Sequence, residues 1–164
     1  MKEKIKKYLK EGVIFIVTLT IALNAMSYYR SLDLNKDNLS IKSFKLLDNT
    51  EYQIPENKPV LVHFWATWCP VCKVEAPNIE KISKDYEVIT IAVQSGEKEE
   101  IQNYLDERKL SFKVVNDNDG FYAKKFNISV FPTTLIYDKS KSLKFSEVGY
   151  TTTVGLYSRM TMVK

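Results

Sequence analysis

Trp65-Ala66-Thr67-Trp68-Cys69-Pro70-Val71-Cys72-Lys73 holds both cysteines of the 164-residue chain. An apolar run, Val60-Leu61-Val62-His63-Phe64-Trp65, leads into it and reads as a strand covered on both faces. Lys73 to Ile82 leads out, with Cys72, Ala76, Ile79 and Ile82 spaced as on one face of a helix that Pro77 should kink. Strand, tight turn, Cys-x-x-Cys and helix, in that order, is the setting in which this spacing reads as a redox dithiol. Two cysteines three apart form no disulfide framework and are too few for a four-thiolate zinc site.

Outward from this stretch the chain alternates. Upstream, Ile41–Leu47 and Glu51–Ile54 flank the turn residues Asp48-Asn49-Thr50 and predict a short hairpin. Downstream come a strand over Glu87–Val93, a helix over Glu97–Leu110 and a strand over Phe112–Val115. A turn at Asn116–Gly120 and a short helix over Phe121–Phe126 follow. Ser129–Thr134 then leads into a strand over Leu135–Tyr137, and a hairpin through Asp138–Lys141 returns along Ser142–Val148. Thr151 or Thr152 can cap a last helix. Strands alternating with helices and ending in a hairpin predict an α/β domain with a mixed central sheet and helices on both faces. Glu97–Glu100 reads as a solvated helix start. Asn116–Asp119 lacks the downstream glutamate of a calcium loop.

The first ten residues carry five lysines, and Gly12 to Tyr29 holds no charge. This run is about long enough for one bilayer span, with Tyr28, Tyr29 and Arg30 at its end. The expected organisation is a basic cytoplasmic head (1–11), a transmembrane signal anchor (12–30), a polar linker (31–40) and one domain (41–164). A cleaved signal peptide is the rival reading, since Val13–Leu23 alone is only the length of a signal core; a buried soluble helix is the third. No cysteine follows the segment as in a lipoprotein. Either export reading places the dithiol in an oxidising compartment. Beyond residue 29 acidic and basic groups nearly balance and no basic stripe runs along the chain, which argues against a nucleic-acid partner.

Phe64-Trp65-Ala66-Thr67-Trp68-Cys69-Pro70-Val71-Cys72, together with Val130-Phe131-Pro132-Thr133 ahead of a strand, resembles the thioredoxin superfamily, in particular its membrane-anchored TlpA/ResA-like branch. The Cys-Pro-Val-Cys pair resembles the suppressor-of-copper-sensitivity D type. The likeness covers residues 41–164. It implies a three-layer thioredoxin-like fold with an N-terminal hairpin extension behind one transmembrane helix. It further implies thiol–disulfide exchange with exported proteins in the periplasm or on the outer face of a bacterial inner membrane, without a cofactor, supplied by a transmembrane thiol relay.

Cys69, just ahead of the helix, is the expected nucleophile and Cys72 the resolving thiol, because unpaired N–H groups and the helix dipole favour a thiolate there. Pro70 suits the first helical position, and Pro70-Val71 contributes to the potential. By the resemblance Pro132 is a cis-proline, and Phe131 before it, with Trp68, belongs to the substrate surface. His63 stands where relatives carry Asp or Asn. It is either a proton acceptor for Cys72 or, the favoured reading, a buried neutral ring bonded to backbone. Glu75, three residues after Cys72, matches a glutamate implicated in thiol ionisation within that branch. As a carboxylate it would raise a thiol pKa, while the alternative is an exposed first-turn glutamate. Outside the enzyme reading, the two thiolates can hold Cu(I), although no Met-rich or His-rich stretch accompanies them.

Overall fold

The structure, a computed structural model, describes residues 2–35 and 37–163, with the side chains of 2–5 and 23 left aside. Met1, Lys36 and Lys164, which fall in the expected head, linker and domain, lie outside the described residues. The uncharged N-terminal run forms part of one long helix, α1 (Lys2–Arg30), so the basic head continues into the same helix.

Val60 to Trp65 forms the central strand, β3, after a hairpin of β1 (Ser43–Lys45) and β2 (Glu51–Gln53). Every residue of β3 is buried, His63 included, as its nearly unbroken apolar character predicts. It pairs in parallel with β4 (Glu87–Val93), which pairs in parallel with β5 (Val114–Asp117). On its other side it pairs antiparallel with β6 (Thr133–Tyr137), and β6 with β7 (Leu143–Val148). The five-stranded order is β5-β4-β3-β6-β7, the mixed sheet expected.

Alternation along β3 divides the core. Leu61 and Trp65 join Ile79 and Ile82 of α2 (Pro70–Ile82), Ile101 and Leu105 of α3 (Lys98–Arg108), and Leu156 and Met160 of α5 (Thr153–Met162). Val62 and Phe64 face the opposite way, toward Phe44 of the hairpin and Ala123 of α4 (Phe121–Lys125). Each fully buried Leu, Ile or Phe in these layers contributes about 1.5–3 kcal/mol through apolar burial.

The turns follow from side-chain oxygen atoms. Asp48 accepts from the amide and hydroxyl of Thr50, and Asp138 accepts from the amides of Ser140 and Ser142. Thr152 caps α5 by accepting from the Gly155 amide at 3.1 Å. Glu100 reaches back to the Glu97 amide at 2.8 Å, so the acidic start of α3 is a helix cap.

Two expectations shift. The strand expected over Phe112–Val115 runs from Val114 to Asp117. Phe112 instead packs edge-on against Trp65, and the buried Asp117 carboxylate accepts from the amides of Tyr122 and Ala123, joining the strand end to α4. The polar stretch 31–40 is bound to the domain: Leu34 and Leu39 are buried in its core, and Asn35 N–H donates to the Phe126 carbonyl. Of its three leucines Leu32 is exposed, and Leu34 and Leu39, five residues apart among polar residues, carry no periodic pattern. Helix α2 runs through Pro77, as expected, at the loss of the bond that an amide there would have made to the Lys73 carbonyl.

Candidate active site

Helix α2 starts immediately after the central strand, so its first turn stands at the carboxyl end of β3. Cys69 is its N-cap, in an extended conformation, with Pro70 at the first helical position. The Cys69 N–H closes the turn by donating to the Ala66 carbonyl at 3.2 Å. The Thr67 amide donates to Ser95 Oγ at 3.0 Å, which ties the turn to the end of β4. Cys69 and Cys72 form a disulfide with Cα atoms 5.3 Å apart. Cys69 Sγ accepts from the Cys72 amide at 3.2 Å. In the reduced protein that donor and the positive end of α2 face any charge on the Cys69 sulfur. The sulfurs are nearly covered, Cys69 at 4% and Cys72 at 2% exposure, so a substrate must dock closely to reach them.

The rim around the disulfide is apolar. Trp68 is 56% exposed and held in place by its indole N–H, which donates to the Gln94 carbonyl at 3.0 Å. Phe131 packs edge to face on Trp68, with ring centroids 5.7 Å apart. Pro70 and Val71 are exposed beside them. The Phe131–Pro132 bond is cis, and the Pro132 carbonyl accepts from Gly149 N–H at 2.8 Å. Gly149 has φ +102°, a conformation that a side chain would strain. The structure therefore brings Cys69, Cys72, Trp68, Phe131 and Pro132 to one end of the sheet.

His63 is 2% exposed and shares a sheet face with Leu61 and Trp65, the face that α2 covers. Its Nδ1 lies 2.9 Å from Thr134 Oγ1, the residue opposite it in β6. Its partner is thus a side chain, where backbone was expected. Burial without a countercharge pushes the imidazole down to about 3, and the ring is neutral throughout the physiological range. We predict that its proton NMR resonances stay at their neutral positions from pH 8 to pH 5; a titration centred near 6.5 would place the ring in contact with water or an anion.

Glu75 corrects the expectation of an exposed first-turn glutamate. It is fully buried, because α5 and the segment leading to it cover that side of α2. Oε1 accepts from the Thr151 amide at 2.9 Å, and Oε2 has no partner among the described residues. Burial raises its pKa to about 8; the Thr151 N–H opposes the shift and the charge of Glu147 adds to it. The group is therefore largely protonated at neutral pH and becomes the carboxylate that would act on a thiol as the pH rises past about 8.

Three partners escaped sequence reasoning: Thr134 for His63, Thr151 for Glu75, and Gln94 for Trp68. Thr134 becomes visible only once the antiparallel register of β3 and β6 is known. The other two act through backbone atoms, which no residue type signals. Among the described residues no cluster of three or more His, Cys, Asp or Glu side chains is placed to hold a metal ion.

Comparison with known proteins agrees with this geometry. The AhpC/TSA family profile matches residues 32–146. Over 160 residues the chain is 31% identical to a thioredoxin-like protein of Haemophilus influenzae, covering 96% of this chain and 95% of that protein. Over an alignment of 176 residues it is 26% identical to the thiol-disulfide oxidoreductase ResA of Bacillus subtilis, covering 100% of this chain and 97% of ResA. The crystal structure of StoA from Bacillus subtilis shares the fold, with a TM-score of 0.65 and 21% identity over 75% of this chain and 99% of StoA.

Proposed function

The chain belongs to the AhpC/TSA family of thioredoxin-like proteins, and from that membership we propose a membrane-tethered enzyme that exchanges the Cys69–Cys72 dithiol with the thiols of exported proteins. Its activity is that of a thiol–disulfide oxidoreductase. The observation that carries the reading is the sulfur of Cys69 at the head of α2, facing the Cys72 amide and bonded to the Cys72 sulfur.

The chemistry follows from that placement. In the reduced protein, the Cys69 thiolate attacks one sulfur of a substrate disulfide. A new S–S bond forms to Cys69, and the second substrate sulfur leaves with the electron pair and takes up a proton. Cys72, deprotonated, then attacks Cys69 Sγ and releases the first substrate sulfur as a thiolate. The protein has lost two electrons and the substrate has gained them. The reverse sequence oxidises a substrate dithiol. Trp68 and Phe131 supply an apolar platform beside the sulfurs, and Pro70 and Val71 border it.

The tether rests on α1. The helical stretch Lys6–Asp33 contains a run long enough and apolar enough to cross a bilayer, and its most apolar part is left uncovered by the domain. Lysines at its start support a cytoplasmic head and a dithiol on the outer face, the bacterial periplasm in this reading. There a transmembrane thiol relay is the fitting electron partner, because a dithiol outside the cytoplasm has no direct access to cytoplasmic reductant. The alternative reading is a Cu(I) module built on the same two thiolates; His63, bonded to Thr134, is not directed to it.

The test is the reduction potential of Cys69–Cys72 in the full chain in detergent, equilibrated with thiol buffers. A value near or below about −270 mV makes the enzyme a reductant, and one near about −120 mV an oxidant. No reversible intramolecular disulfide at any poise would overturn the exchange reading.

A further inference from the structure

The last turns of α1 lie along the outer strand of the sheet. Ser27 Oγ accepts from the Val148 amide at 2.9 Å, and Asn24, Ser27, Tyr28 and Ser31 line a cavity of about 390 Å³ with residues of β7. Past the helix the chain runs on to Leu39, whose N–H donates to the Lys141 carbonyl at 2.9 Å, in the turn that precedes β7. The path from Ser27 to Leu39 is therefore antiparallel to β7, and the earlier turns of α1 project beyond Val148.

Val148 is at the dithiol end of the sheet. It faces Thr133 in β6, and the Gly149 and Thr151 amides that follow it donate to Pro132 and Glu75. The helix thus leaves the domain on the side of Cys69 and Cys72. Its length leaves little stand-off. Glu11 to Ser27 rises about 24 Å at helical pitch, less than a hydrocarbon core of roughly 30 Å.

The surface at that end suits a lipid boundary. Trp68, Val71, Val74, Tyr150 and Val154 are exposed by 56%, 43%, 66%, 50% and 78%. Asn78 joins the outer side of α2 to the start of α5: its amide donates to Tyr150 OH and the Thr151 carbonyl, and its Oδ1 accepts from Thr153. Trp and Tyr favour the membrane interface, and the exposed Lys73 among them suits lipid phosphates.

We propose that this apolar rim rests in the headgroup layer of the bilayer that α1 crosses, so that the dithiol is presented to thiols held at the membrane surface. The inference rests on the reading of α1 as a membrane span.

The reduced full-length protein, reconstituted into protein-free phospholipid vesicles containing lipids brominated close to the headgroup, tests both. Trp65 is buried at 2% exposure and serves as the internal reference. The expected result is flotation with the vesicles and loss of the Trp68 share of tryptophan emission, a loss absent from Trp68→Phe. A flexible Gly-Ser insertion of about ten residues between Arg30 and Ser31 should restore the emission. Flotation with Trp68 unquenched overturns the inference and leaves the span standing; a rim reserved for a membrane protein gives this outcome. Quenching that survives the insertion overturns the assignment of the orientation to α1. Failure to float removes the span and the inference together.

Discussion

Replacing Cys72 with serine is expected to stop exchange halfway, with the substrate held on Cys69 as a stable mixed disulfide. The argument is positional. Cys69 lies outside the helix as its N-cap, and its sulfur faces the Cys72 N–H. Cys72 lies within the first turn of α2, and both cysteines belong to the core cluster with Ile79 and Leu61, Cys72 at 2% exposure and Cys69 at 4%. An incoming sulfur meets Cys69 first, beside Trp68 and Phe131, and without Cys72 only an external thiol can release it. Turnover should fall on the order of 10³-fold or more, since nucleophile and resolving group act as one unit. Cys69→Ser should lose the same activity and form no adduct. Non-reducing electrophoresis of each variant after incubation with a disulfide peptide, followed by mass measurement of the adduct, reads the outcome. An adduct on Cys72 in Cys69→Ser, with none on Cys69 in Cys72→Ser, would reverse the two roles.

The parts of this site legible in the sequence are those where local chemistry and the fold agree. Val60–Trp65 is apolar at every position but His63 and became the strand buried on both faces. Pro70 has no N–H to lose and stands at the first helical position. Asp48 and Asp138 each sit where an acceptor closes a turn. The parts that were not legible depend on tertiary context. Glu75 has the sequence environment of an exposed first-turn acid, and only the packing of α5 and Thr151 over it reverses that reading. Asp117 looks like a turn residue, yet its carboxylate caps α4 from the end of a strand. The stretch 31–40 reads as a linker because its core contacts, Leu34 and Leu39, are isolated among polar residues. Each case is a polar or irregular segment whose burial is decided by packing against another element, the next helix for Asp117 and elements distant in sequence for Glu75 and 31–40.

Glu75→Gln is expected to change the pH dependence of stability strongly between pH 5 and pH 8. The folded protein holds this carboxyl at about 8, against an ordinary 4.5. Between those values the folded chain carries a proton there that the unfolded chain has released. Stability therefore falls as pH rises through this window, by about 1.4 kcal/mol per unit, and the glutamine variant lacks that slope. Near pH 5 the variant should be equal to wild type or weaker, because a buried amide with unpaired donors costs about 1–3 kcal/mol. By pH 8 the proton uptake it avoids is worth on the order of 3–5 kcal/mol, and the variant should be the more stable. Urea unfolding of the oxidised full chain in detergent at pH 5, 6, 7 and 8 measures the difference; a flat difference would mean that Glu75 is not a buried acid. The same protonation bears on the thiols. A neutral Glu75 exerts no carboxylate repulsion on a Cys69 thiolate, so a Cys69 that ionises below pH 8 should keep its titration in Glu75→Gln. A thiol that ionises above pH 8 does so beside a charged Glu75, the two titrate as a coupled pair, and the replacement should then lower the thiol pKa. Thiolate absorbance of the reduced wild type and variant between pH 5 and 10 distinguishes the two regimes, and with them whether Glu75 at neutral pH stores a proton near the resolving cysteine or opposes the charge of the attacking one.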